Sequence, residues 1–179
     1  MGSVRLYGAT SGYLELQAPD VSPDAALVLP STGFGKILQV VRATDSTQRS
    51  TTSASNIDLP GASVTITPQK STSTIIVLLS LYGRLTWTSD ADRRGFFTIS
   101  DSSNSGLSGA QVVGFGVDDI TGTGTRIFEA PIFLIGQATP ATTSAVTYKG
   151  RFSSVNSGVT TIARNNVSTL QMYAIEVAA

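Results

Sequence analysis

The feature that most constrains this chain is its succession of short β-type segments separated by Ser/Thr/Gly-rich turns, with no long amphipathic helix among them. Near its centre stands TSTIIVLLSLYG (72–83), where Ile75-Ile76-Val77-Leu78-Leu79 is apolar on both faces of a strand. Successive side chains of a strand point to opposite faces. In a two-layer sandwich, a strand greasy on both sides therefore needs a second apolar neighbour. Pro131-Ile132-Phe133-Leu134-Ile135 has the same character, with Pro131 marking an edge or a bulge. A contact between subunits is the simplest source of that neighbour, and a covering loop is the other.

The first 34 residues read differently from the rest. VRLY (4–7), GYLELQA (12–18) and AALVL (25–29) are short strand candidates. Three such strands cannot enclose a core of their own, so residues 1–34 are expected to form a β-arm that pairs with the main body, with a sister copy or with a larger assembly. PSTGFG (30–35) reads as a hinge. The main body, residues 35–179, carries predicted strands at 36–43, 62–68, 73–82, 95–101, 111–117, 126–135, 144–153, 159–163 and 168–177. Turn clusters such as TDSTQRSTTSASN, DSSNSGLSG and GQATPATT lie between them. This spacing predicts an all-β, antiparallel jelly-roll β-sandwich. No helical segments alternate with the strands, which argues against a parallel α/β sheet. The last strand sets Tyr173, Ile175 and Val177 on one face against Leu170, Met172, Ala174 and Glu176 on the other.

Composition narrows the function. The 179 residues contain no His and no Cys, and 12 basic side chains balance 12 acidic ones. A net charge of zero offers no electrostatic reason to bind nucleic acid or an anionic membrane. Charged residues are 13% of the chain, about half the usual quarter, and a near-neutral surface favours association. The apolar run at 75–81 is too short to cross a bilayer. MGSVRLYGAT has no secretory core and lacks the Ser or Thr at position 6 that myristoylation wants.

Catalytic and metal readings fare badly. There is no His for general-base work, no Cys nucleophile, and no triad partner for the many Ser and Thr. Asp118-Asp119 would face opposite ways on a strand and reads as a solvated turn. Glu129 and Glu176, set among apolar residues, read as solvent-facing strand positions. Asp90-x-Asp92 lacks the further acidic ligands of a calcium loop. TGTGT (121–125) lacks the Lys and the helix of a phosphate cradle and reads as a hairpin turn. Asn166-Val167-Ser168 matches a glycosylation acceptor by chance. No enzyme activity, cofactor or metal is expected.

Two groups of residues remain as candidates. Segment 82–97 joins the only Trp, Trp87, to Tyr82, Arg84, Asp90, Asp92, Arg93 and Arg94, a mixture of aromatic surface and polar groups suited to sugars. This is the candidate receptor-contact loop. The simpler reading packs Trp87 in the sandwich and leaves the Asp/Arg residues as an exposed, internally paired loop. The Ser/Thr-rich loops 44–56 and 101–110 are second candidates. Ile76, Leu78, Phe133, Ile135, Tyr173 and Ile175 form the candidate subunit interface.

The segment GATSGYLELQAPDVSPDAALVLPSTG (8–33) resembles one seen in structural proteins of tailed bacteriophages. GKILQVVRAT (35–44), SVTITPQKSTSTIIVLLS (63–80), ATPATTSAVTYKGRF (138–152) and STLQMYAIEVAA (168–179) look like the domain that follows it, often at the distal end of tail fibres. That family resembles the trimeric jelly rolls of the tumour-necrosis-factor and complement type. The resemblance implies a homotrimer with its final strand near the threefold axis and a place on the virion surface, reached after synthesis in the host cytoplasm. It implies partners among other virion proteins, held through the N-terminal arm, and contact with a host cell-surface glycan. Met1 stands immediately before the N-terminal motif, so neither a shaft nor an anchoring domain is expected upstream. A capsid decoration protein is the alternative role within the same class, and a free lectin-like module or a glycan hydrolase lies outside it.

Overall fold

A computed structural model describes residues 3–7, 13–17, 36–88, 93–117 and 124–179. The chain divides into two units, Met1–Phe34 and Gly35–Ala179. In the first, β1 (Ser3–Tyr7) and β2 (Tyr13–Gln17) form an antiparallel hairpin that sets Val4 opposite Leu16 and Leu6 opposite Leu14. The third expected strand of this unit, 25–29, lies outside the described residues.

The second unit is an antiparallel two-sheet sandwich with no helix among its described residues. Its strands are β3 (Ile37–Asp45), β4 (Arg49–Thr51), β5 (Ile57–Ile66), β6 (Thr74–Trp87), β7 (Arg94–Asp101), β8 (Val113–Gly116), β9 (Arg126–Ala138), β10 (Val146–Ser154), β11 (Val159–Ala163) and β12 (Leu170–Val177). One layer runs β5-β10-β7-β8. In the other, β6 pairs with β9 along one side and, on the opposite side, with β12 through its first half and β11 through its second. β3 extends the sheet beyond β12, and β4 extends it beyond β11. The orders β3-β12-β6-β9 and β5-β10-β7-β8 make an eight-strand jelly roll.

The period of 2 decides which side chains fill the space between the layers. Ile75, Val77, Leu79, Leu81, Leu85 and Trp87 of β6 all point inward and are buried. Ile75, Val77, Leu79 and Leu81 join Phe97 and Ile99 of β7, Ile132 and Leu134 of β9, Phe152 of β10 and Leu170 and Met172 of β12, while Leu85 and Trp87 pack with Val159 of β11 in a second cluster. Burying each such side chain is worth ~1.5–3 kcal/mol, and this cluster supplies the main driving force for the fold. Gly95 is required by the packing: a Cβ there would lie 2.6 Å from Leu85 Cδ2 and 2.8 Å from the Phe115 ring. Gly61, with φ of +86°, sits in a bulge where β5 slips register against β10 between Lys149 and Arg151.

Two polar positions are buried with purpose. The Ser154 hydroxyl donates to the Thr51 carbonyl at 2.9 Å and lies 2.9 Å from the Thr161 hydroxyl, tying β10, β11 and β4 together. Glu176, expected at a solvent-facing position, is instead 0% exposed. It shares the inward side of β12 with Leu170, Met172 and Ala174. Its carboxylate accepts from Gln39 Nε2 at 2.6 Å and from the backbone N–H groups of Gln69 and Lys70 at 2.8 and 3.2 Å. Burial alone would raise its pKa, but these bonds outweigh it and hold the carboxyl below its ordinary value.

Candidate interaction surface

The opposite parity of the β3-β12-β6-β9 layer faces away from the core, and there apolar residues align across strands. Ile175 stands opposite Val40 on one side and Ile76 on the other. Tyr173 stands opposite Leu78, which in turn faces Ile135. Ser80 stands opposite Phe133. All six residues of the candidate interface, Ile76, Leu78, Phe133, Ile135, Tyr173 and Ile175, therefore share this outer face. Phe133 is 59% exposed, Val40 54% and Ile135 51%, whereas Ile76, Leu78, Tyr173 and Ile175 are partly shielded by these neighbours. Large apolar side chains in contiguous rows make this face the candidate for contact with another molecule.

Polar groups frame the patch. The Arg42 guanidinium lies 5.7 Å from the Tyr173 ring centroid and donates to Gln171 Oε1 at 2.9 Å, which also accepts from the Tyr173 hydroxyl. Further along β6, Arg84 Nε donates to Glu129 Oε1 at 2.5 Å, and Arg164 donates to the same oxygen. Hydrogen bonds from Arg164 and then Arg84 hold the Glu129 carboxyl below its ordinary pKa. Glu129 is thus a paired carboxylate on the outer face of β9, half-exposed as a strand position.

The open edge of the layer is guarded. Gln137 N–H points away from β6 and donates to the Ser108 carbonyl at 2.9 Å. Counting back in steps of two places the Pro131 nitrogen on the same outward side, where a missing N–H costs no ladder bond. Proline in mid-strand and a loop over the end of β9 discourage pairing by another chain's strand.

The described residues of the candidate receptor-contact segment do not share one surface. Tyr82 and Arg84 lie on the outer face of β6. Trp87 faces inward at 3% exposure and packs with Leu85 and Val159. Arg93 is 5% exposed, with its guanidinium 5.9 Å from the Trp87 ring. Arg94 is exposed and sits 5.9 Å from the Phe96 ring. Asp90 and Asp92 lie outside the described residues, as do Asp118 and Asp119. A contact role for Trp87 is corrected on a simple ground: it continues the inward series that begins at Ile75. Among the described residues, no three or more acidic side chains gather as a metal site.

Comparison with known proteins returns little by sequence: no family model and no curated protein matches the chain. Among solved structures it is similar to chains of infectious bursal disease virus. The structure of the Gt strain matches at 15% identity and a TM-score of 0.30, covering 97% of this chain and 46% of that one. The crystal structure of the VP2 subviral particle of the same virus matches at 17% identity and a TM-score of 0.31, covering 96% and 46%. The chain thus spans less than half the length of these structures.

Proposed function

We propose that this protein is a non-enzymatic structural component of a tailed-phage virion, a homotrimeric tail-fibre or appendage protein that meets the host surface. The observation that carries this reading is the apolar outer face of β3, β12, β6 and β9. Seven large apolar or aromatic side chains in register exceed what a lone soluble copy needs. A threefold arrangement would bury the face of each copy against its neighbours, with β12 close to the axis.

The layout of the domain supports an appendage. Residue 36, where the strands of this unit begin, is bonded to its far terminus, since Ala178 N–H donates to the Lys36 carbonyl at 2.7 Å. β6 runs away from this end for 14 residues to Trp87, a span of roughly 45 Å. The end of β6 and the start of β9 therefore lie far from residue 36. Such a domain can be held at one end while presenting loops at the other. The arm of residues 1–34 is the segment we assign to docking on another virion protein.

Labelling this protein in intact virions tests the role. Label on the tail or its fibres is the expected result. Label spread over the shell would favour capsid decoration, and absence from virions would overturn the reading.

A further inference from the structure

At the end of the sandwich where β6 begins, the two layers part and leave a cleft of about 280 Å³ between β7, β9 and β10. Its apolar side is formed by Leu107, Ala138 and Val146. Its polar side is formed by Asp101 and Tyr148, which face each other directly across the β7–β10 ladder. Tyr148 is 2% exposed, and its hydroxyl has no hydrogen-bond partner among the described residues. Asp101 uses one oxygen, Oδ1, to accept the N–H groups of Ser103 and Ser105 at 2.8 and 2.9 Å. Its other oxygen has no protein donor among the described residues.

The walls are held in unusual backbone. Among the described residues only Asn104 and Ala141 combine a side chain with positive φ, at 70° and 52°. Asn104 lies in the loop that forms one wall, and Ala141 follows Pro140 in the loop that forms the other.

We propose that this cleft binds one neutral sugar ring. The carboxylate oxygen of Asp101 can accept from a pair of ring hydroxyls, the Tyr148 hydroxyl can donate to or accept from a third, and Leu107, Ala138 and Val146 offer apolar surface to the ring's C–H groups. No cation lines the cleft, so it gives no purchase to an anion. Its volume lies just below the range for drug-sized ligands, which suits a single ring. The site goes beyond the virion reading and is independent of it, because binding is measured on the isolated protein.

The test is a titration of the intact chain with a panel of neutral monosaccharides, read by saturation-transfer NMR and calorimetry. At least one sugar is expected to bind with a Kd in the millimolar range, and Tyr148→Phe to weaken it about tenfold, one hydrogen bond's worth. Tyr148→Phe removes a single oxygen that no described residue uses, so the variant should keep its melting temperature. Asp101→Asn should weaken binding similarly, and if that loop loosens, the Tyr148 variant alone decides. No saturable sugar, unchanged affinity in Tyr148→Phe, or binding of arginine amide in place of sugars would each overturn the proposal.

Discussion

Ile135 stands directly across the β6–β9 ladder from Leu78, and both lie on the face turned away from the core. Each belongs to a strand whose other face is already buried, through Val77 and Leu79 on β6 and Leu134 on β9. The pair is the centre of a surface that the jelly roll does not itself need.

Phe133→Asp separates assembly from folding. Phe133 is 59% exposed in the single chain, so the substitution should change the stability of the isolated fold by no more than ~0.5 kcal/mol. Within a dry contact between copies, the unpaired charge would cost several kcal/mol. Sedimentation should show the assembly lost while circular dichroism still shows the β fold. Ile76→Asp should also abolish assembly, with some loss of stability because Ile76 is already partly covered.

The Glu176 carboxylate ties the 67–73 segment to β12. Its folded pKa is depressed, so the stability it contributes is present above the unfolded value, near 4.5, and is lost as pH falls through the lower folded value. Glu176→Gln can keep an oxygen toward the N–H groups of Gln69 and Lys70, but it then sets its own NH2 against the Gln39 Nε2 donor. A loss of ~1–3 kcal/mol at neutral pH is expected. Urea melts of both proteins at pH 7 and pH 3 check this: the gap between them should narrow in acid.

Trp87 is the only tryptophan in the chain, so its fluorescence reports one site. The side chain is 3% exposed. Its emission should be blue-shifted and resistant to iodide, and should move to the red and become quenchable on unfolding. Strong iodide quenching of the folded protein would place the ring at the surface.

Gly95→Ala tests the packing of β7 against β6 and β11. The new methyl would lie 2.6 Å from both Leu85 Cδ2 and Thr161 Oγ1. Overpacking of this kind costs ~1–3 kcal/mol, readable as a lower urea midpoint with an unchanged slope.

Much of the layer architecture is legible in residue alternation. The strand expected at 159–163 is β11, and the series Leu170, Met172, Ala174 on β12 is the buried one. Other features fell outside what apolar patterning reports. β6 extends to Trp87, past the expected end at 82, because Gly83, Arg84 and Thr86 look like a turn although the inward series Leu81, Leu85, Trp87 is unbroken. β4 is a three-residue polar strand whose Thr51 is held by the Ser154 hydroxyl, a contact set by tertiary structure. β5 starts at Ile57 because Pro60 and Gly61 form a bulge within the strand. Glu176 carried a signal, its inward parity, that residue type alone overrode. The shared outer face of Ile76, Leu78, Phe133, Ile135, Tyr173 and Ile175 was readable from strands apolar on both sides. The meeting of Asp101 with Tyr148 was not, since it depends on the register of two strands 47 positions apart in the chain.

The most direct test of this account is the mass of the native protein in dilute solution. Native mass spectrometry or equilibrium sedimentation should find a species of three times the 18.6 kDa chain. A folded species at the mass of a single chain, with Phe133, Ile135 and Val40 left in water, would contradict it.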